Sequence, residues 1–463
     1  MSSLSSLILC LIVVATVLFH FSNAFEKHPH PHRVFHLPTS RRLSIQSSLP
    51  GNLYPTQFKL ALYKDPTMMH ISYHVSQPFS RHEDHICQYA KWTGSESTLQ
   101  WKRALVVRFI TYHQNAGTDV THRMVQLQPN TEYVYKCMQR EDLFHFHTGD
   151  YLYERKQQPS KFLLLGDFGS EFANSTVRAV TNRVRNESVD AVLLVGDISY
   201  ADIYNCSDYE MVFDEFMNEM EPVMATHPFM VCPGNHEYAC KNGDCFEWTK
   251  DFVPYNAKFT MIFDSGKIHN MWYSFVWRNV QVISISTETD YPLAPFPSKF
   301  GDQLSWFEDQ LKKANENRDQ VPFVLVMGHR PIYSSHKEYS TDGVPIGSAR
   351  KLQMAIEDLL YKYQVDLYVC GHVHSYERTY PTYQNKRNPQ GTIHAVIGHA
   401  GNPEGPTKED SYAHPVPQWS ANHFTKDLGY VTLETTQDYM LWKMFASGSD
   451  TLADEIKIPR KSL

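Results

Sequence analysis

The chain has 463 residues, of which 42% are hydrophobic and 20% charged, with a formal net charge of −7. That length exceeds one ordinary compact core, so two domains are expected. The acidic balance excludes a nucleic-acid surface built on a basic field, and phosphate chemistry on such a chain calls for metals rather than a basic patch.

The first predicted element is an apolar block, Leu7 to Phe21, followed by the small residues Ser22-Asn23-Ala24. It reads as a secretory signal over residues 1–24. No other run approaches the ~20 apolar residues of a membrane span. Residues 25–50 read as a linker or pro-segment containing "EKHPHPHRVFH". Secretion agrees with three glycosylation sequons, at Asn174, Asn186 and Asn205. Beyond Cys10 the chain holds seven cysteines, an odd number. Cys87 with Cys137 and Cys240 with Cys245 are the expected disulfides, while Cys232 and Cys370 sit in apolar runs as buried thiols.

Residues 51–150 carry only β signals. "QFKLALY", "MMHISYHV", "RALVVRFITYH" and "TEYVYKCM" are β-branched or aromatic runs separated by turn residues. They predict an all-β sandwich of the fibronectin type. From about residue 160 the pattern changes. "KFLLLG", "VDAVLLVG", "PFVLVMG" and "VDLYVCG" are continuous apolar runs that each stop at glycine. Such strands are buried on both faces, as parallel strands are. Between them "NSTVRAVTNRVRN", opening on an Asn/Ser cap, "DYEMVFDEFMNEMEPVMA" and "SARKLQMAIEDLLYKY" repeat apolar residues at helical spacing. An α/β domain follows over residues 160–460.

Each apolar run ends in a residue able to bind metal. They are Asp167, then Asp197 with Tyr200, then Asn235 with His236, then His329, then His372 with His374. Ligands in open α/β sheets collect beyond the carboxyl ends of strands. If the last strand runs on past Gly371, alternation points His372 and His374 to one side. Carboxylates and amide oxygens suit hard cations, imidazoles suit transition metals and a phenolate suits a ferric ion. So many mixed oxygen and nitrogen ligands suit two metals about 3.5–4 Å apart that share a carboxylate.

These blocks resemble the metallophosphoesterases, and most closely the purple acid phosphatases, which carry DxG, GDxxY, GNHE, VxxH and GHxH in that order. All five are present, at Asp167–Gly169, Gly196–Tyr200, Gly234–Glu237, Val326–His329 and Gly371–His374. Gly169 stands where protein phosphatases of the superfamily carry histidine, and Tyr200 is a residue they lack. The resemblance implies an α/β metallophosphoesterase sandwich of mixed sheets flanked by helices, preceded by the fibronectin III-like domain. It implies Fe(III) on Asp167, Tyr200 and His374, a divalent ion (Zn, Fe or Mn) on Asn235, His329 and His372, and Asp197 bridging. The implied activity is that of a secreted acid phosphatase, in which metal-bound hydroxide attacks a phosphate monoester directly. Phosphodiesterase or pyrophosphatase chemistry is the alternative on the same site, and a lysosome-like compartment is the alternative destination. His236, beside Asn235, is the expected proton donor, with Glu237 orienting it or a ligand. His336 in "HRPIYSSHKEYST" is the expected phosphate contact, with Tyr339 as the alternative. The sandwich is placed to mediate a homodimer.

Overall fold

Among the described residues, eight short strands occupy the β-rich region, whose runs predict an all-β fold. They are β1 (Thr56–Leu62), β2 (Met69–Val75), β3 (Cys87–Lys91), β4 (Lys102–Arg103), β5 (Leu105–Ile110), β6 (Thr118–Met124), β7 (Glu132–Cys137) and β8 (Phe144–His147). The computed structural model describes residues 54–76, 86–113, 116–149, 159–239, 247–263 and 269–461. The expected signal at 1–24, the linker at 25–50 and the Cys240–Cys245 pair lie outside the described residues.

The strands form two four-stranded antiparallel sheets, ordered β1-β2-β6-β5 and β4-β3-β7-β8. The run "RALVVRFITYH", read as one strand, is two. The chain leaves one sheet after Arg103 and enters the other at Leu105, turning on Ala104, whose methyl is buried. Strands that switch sheets make the corners of β-sandwiches. Cys87 and Cys137 face each other across β3 and β7 and are disulfide-bonded, as expected. Closing a loop of 50 residues stabilises the fold by about 4 kcal/mol through unfolded-chain entropy.

The α/β region follows. Its first part runs β9 (Ser160–Leu165), α1 (Asn174–Asn186), β10 (Ala191–Leu194), α2 (Tyr209–Met224), β11 (Phe229–Val231) and the short α3 (Val253–Lys258). Then come β12 (Tyr273–Trp277), β13 (Val280–Ser284), α4 (Gln303–Glu316), β14 (Phe323–Met327), the hairpin β15–β16 (Ser340–Thr341, Val344–Pro345) and α5 (Gly347–Lys362). The rest is strand: β17 (Leu367–Cys370), β18 (Tyr376–Thr379), β19 (Thr382–Tyr383), β20 (Lys386–Arg387), β21 (Ile393–Ile397), β22 (Ser420–Phe424), β23 (Gly429–Thr435), β24 (Tyr439–Ala446) and β25 (Thr451–Pro459).

These strands make two mixed sheets, ordered β11-β10-β9-β23-β24-β25 and β12-β13-β14-β17-β21-β18-β22. The glycine-ended apolar runs are the parallel strands β9, β10, β14 and β17, and every residue of β10, β14 and β17 is buried. Helices α4 and α5 bury Phe307, Leu311, Leu352 and Ile356 against Ile283 and Val326 of the second sheet. Asp302 caps α4, its carboxylate accepting the Ser305 N–H at 3.2 Å. The expected Asn/Ser cap of α1 is not found. Asn174 is already helical, Ala173 is the cap, and no side chain closes that end. Cys232 and Cys370 are free and buried, as expected, whereas Cys206 is disulfide-bonded, which the spacing gave no reason to foresee.

The sandwich sits on α2 and β11 through a buried polar seam. Leu60 bridges Pro228, and the Tyr135 hydroxyl donates to the Ala225 carbonyl at 2.7 Å. Beside them, Lys59 lies 3.9 Å and His74 3.5 Å from one oxygen of Asp119. Lys258 bonds Glu210 at 2.6 Å and Asp214 at 2.8 Å. Buried charges of this kind persist only when paired.

Candidate metal centre

Five strand ends converge. From the first sheet come Asp167 (after β9), Asp197 and Tyr200 (after β10) and Asn235 (after β11). From the second come His329 (after β14) and His372 and His374 (after β17). One sheet thus supplies every oxygen-bearing side chain of the set and the other every imidazole. The expected continuation of the last strand past Gly371 does not occur. β17 stops at Cys370 and His372 takes φ +70°. Asp167, Asp197 and Tyr200 share that left-handed region, at φ +56°, +50° and +56°. Non-glycine residues seldom adopt it, and such strain gathers where a site over-determines the backbone.

The side chains fall into two groups. In one, the Tyr200 hydroxyl lies 3.1 Å from Asp167 Oδ1 and 3.0 Å from His374 Nε2. In the other, His329 Nε2 lies 3.0 Å from Asp197 Oδ2, 3.1 Å from Asn235 Oδ1 and 3.2 Å from His372 Nδ1. Asp197, His329 and His372 each offer a donor atom within 4.8 Å of the other two.

Neighbours fix the orientation of each group. His329 Nδ1 lies 3.0 Å from the Val195 carbonyl and His374 Nδ1 lies 3.0 Å from that of Gly405. A ring N–H donated to a carbonyl at Nδ1 turns Nε2 into the site, the nitrogen a metal takes in place of a proton. Asp167 accepts the His372 backbone N–H at 2.8 and 3.0 Å. Glu237 accepts the N–H groups of Asp197, Ile198 and Gly234 at 2.9, 2.8 and 2.8 Å, clamping two loops together.

His236 stands at the same wall. Its Nδ1 is 2.7 Å from Asp202, and its Nε2 is 3.7 Å from Asp197 and 3.6 Å from Glu404. His336 lies further out and half-buried, its Nδ1 accepting the Glu338 N–H at 3.3 Å. Its ring is 5.6 Å from that of Tyr339. The Tyr339 hydroxyl does reach the cluster, 3.1 Å from His372 Nε2.

The electrostatics suit cations. Burial alone would raise the Asp197 carboxyl, but the imidazoles of His329 and His236 outweigh it and hold the group well below its ordinary value. Burial works against charge on His329 too, yet Asp197 lifts it to about 9. Burial, then Asp167, Asp197 and Glu404, push the Tyr200 hydroxyl well above 10, so only a strong cation at its oxygen would ionise it. Burial, then Arg330 and His329, keep His372 neutral, the form that ligates. Two carboxylates, a phenol, an amide oxygen and three imidazoles fit two ions that share a carboxylate.

Four residues of the site carried no expectation from the sequence: Asp202, Glu288, Arg330 and Glu404. Asp202 follows Tyr200 by two and Arg330 adjoins His329, so both stand beside motif residues. Glu288 and Glu404 act through space on residues 42 and 168 positions away, and no spacing announces that.

Comparisons with known proteins agree with this geometry. The family model described as calcineurin-like phosphoesterase matches residues 160–376. The model of the iron/zinc purple acid phosphatase-like protein C matches residues 391–455. The chain is 32% identical over 380 residues to purple acid phosphatase 21 of Arabidopsis thaliana, covering 80% of this chain and 77% of that protein. It is 33% identical over 329 residues to human acid phosphatase type 7, covering 67% and 70% of the two. Among solved structures, a purple acid phosphatase from yellow lupin seeds has the same fold, with a TM-score of 0.70 at 24% identity over 88% of this chain and 75% of that one. Strand-end residues disposed for two metals and these likenesses lead to one conclusion: the chain belongs to the purple acid phosphatases, within the calcineurin-like phosphoesterases, and is a phosphatase.

Proposed function

We propose that the protein hydrolyses phosphate monoesters at a binuclear Fe(III)–M(II) centre. Asp167, Tyr200 and His374 would hold the ferric ion, Asn235, His329 and His372 the divalent ion, and Asp197 both. The observation that carries this reading is the buried Tyr200 hydroxyl, 3.1 Å from Asp167 and 3.0 Å from His374. When bound, the two ions supply Lewis acidity toward phosphoryl oxygens and acidify water.

The chain's own residues do the rest. Asp202 accepts the Nδ1–H of His236 and so favours the imidazolium form, whose Nε2–H is the proton offered to the leaving oxygen. Glu237 keeps the Asp197 and Asn235 loops in register. Tyr339 and His336 line the side where the ester would enter, with Tyr339 at His372. No described helix is long and apolar enough to cross a membrane. Exposed Asn174, Asn186 and Asn205 support glycosylation and hence secretion. The two antiparallel sheets support a fibronectin III-like domain over 51–150 ahead of a catalytic domain over 160–460.

The test is the visible spectrum of the metal-loaded protein beside Tyr200→Phe, with hydrolysis of p-nitrophenyl phosphate and its bis ester measured from acid to neutral pH. A purple band lost in the variant, with the monoester preferred in acid, is expected. A colourless wild type with both metals bound would reject the ferric assignment. A preference for the bis ester would move the phosphodiesterase reading forward.

A further inference from the structure

Arg330 directly follows His329, and its guanidinium is anchored rather than loose. Its Nε donates to both oxygens of Glu288 at 3.0 and 2.9 Å, and the Glu288 side chain is fully buried. Its Nη1 lies 3.0 Å from His372 Nε2, the nitrogen that the Tyr339 hydroxyl also approaches at 3.1 Å. A guanidinium can only donate, so in this arrangement Nε2 is the accepting nitrogen and the ring proton sits on Nδ1.

That arrangement and metal binding at His372 are mutually exclusive. His372 Nδ1 is the atom that faces His329 Nε2 and the Asp197–Asn235 side of the site. A cation on Nδ1 moves the ring proton to Nε2. An N–H at Nε2 can be donated to the Tyr339 oxygen but cannot accept from Arg330. Glu288 still holds the guanidinium in place, so its Nη1–H is left as a cationic donor beside half-buried His372. An oxyanion is the partner such a donor takes, because charge-assisted N–H···O bonds are the strong ones.

We propose that Arg330, anchored by Glu288 and released from His372 when that residue takes a metal, binds a phosphoryl oxygen of the substrate. This rests on the dimetal reading above. Arg330 would then set affinity for the phosphate group common to ester and product.

The test uses the full-length metal-loaded protein, with inorganic phosphate as the titrant in calorimetry and elemental analysis of the same sample. Removing Arg330 alone strands a buried carboxylate, so the main variant is the neutral pair Arg330→Gln with Glu288→Gln. Arg330→Lys, which keeps a charge for Glu288 but not the fork, is the second. Both variants are expected to retain two metals. The phosphate Kd and the KM for p-nitrophenyl phosphate should rise together, by about 10- to 100-fold in the double variant and by less in the lysine one. An unchanged phosphate Kd with both metals present would overturn the proposal. So would loss of metal from both variants, which would make Arg330 a brace of His372. Failure of the wild type to take up metal is a separate result, seen before any variant is made, and would overturn the dimetal reading itself.

Discussion

Replacing Gly371 by alanine tests the site at its tightest point. A Cβ built on Gly371 would stand 2.1 Å from Asp167 Oδ2 and 3.2 Å from its Cγ. Carbon and oxygen in ordinary contact are about 3.3–3.6 Å apart, so the carboxylate would have to retreat by about 1.2 Å or more. It has little room, because the same oxygen accepts the His372 backbone N–H at 2.8 Å. Gly371 does not occupy a left-handed conformation, so alanine brings no backbone strain and the effect is steric. Overpacking of this size costs about 1–3 kcal/mol, and a misplacement of about 1 Å costs roughly 100-fold in rate. Urea unfolding, metal analysis and p-nitrophenyl phosphate turnover should therefore show a folded protein, slightly destabilised, that is short of the ion nearest Asp167 and at least 100-fold slower. Wild-type metal content and turnover in Gly371→Ala would refute the claim that this carboxylate is pinned beneath Gly371 and needed there.

Three further outcomes are expected. His236→Gln should lower kcat by about 100- to 10,000-fold for alkyl phosphates and by less for p-nitrophenyl phosphate, whose leaving group needs no proton; equal losses would deny His236 a donor role. Asp119→Asn should cost about 3–5 kcal/mol in urea unfolding, since it strands buried Lys59 3.9 Å away; a loss under about 1 kcal/mol would show the seam to be energetically idle. Burial lowers the Lys59 ammonium to about 8 against the partial support of Asp119. From there up to the ordinary lysine value the unfolded chain holds a proton that the folded chain has released, so stability rises with pH across that window. Lys59→Met should remove that part of the rise in a pH series of urea melts, and identical slopes for the two proteins would count against it.

The site was legible because its residues fall directly after apolar runs. A strand buried on both faces must be nearly all apolar, so Asp167, Asp197, Asn235, His329 and His372 stand out at the points where those runs stop. The helices announced themselves by periodicity for the same reason. What stayed hidden depends on contacts through space. Glu288 reaches Arg330 from the strand-end loop after β13, and Glu404 reaches His236 from the loop after β21. Nor did alternation reveal that the chain changes sheets at Ala104, since β-branched residues serve either sheet equally well. The histidine pair was found by a pattern whose geometry was then wrong. A strand continuing through Gly371 would have set the rings side by side, whereas a left-handed turn at His372 sends them to separate groups.

The division of donors between the two sheets bears on the order of events during synthesis. Asn235, the last of the oxygen-bearing side chains, precedes His329, the first of the imidazoles, by 94 residues. At about 5–20 residues per second, the ribosome takes roughly 5–20 s to cross that gap. During it, of the seven proposed ligands, the nascent chain presents only carboxylate, phenol and amide oxygens, a set that suits hard ions. Selection of the final metals therefore waits for the second sheet. The imidazoles that complete the set arrive only with the second sheet.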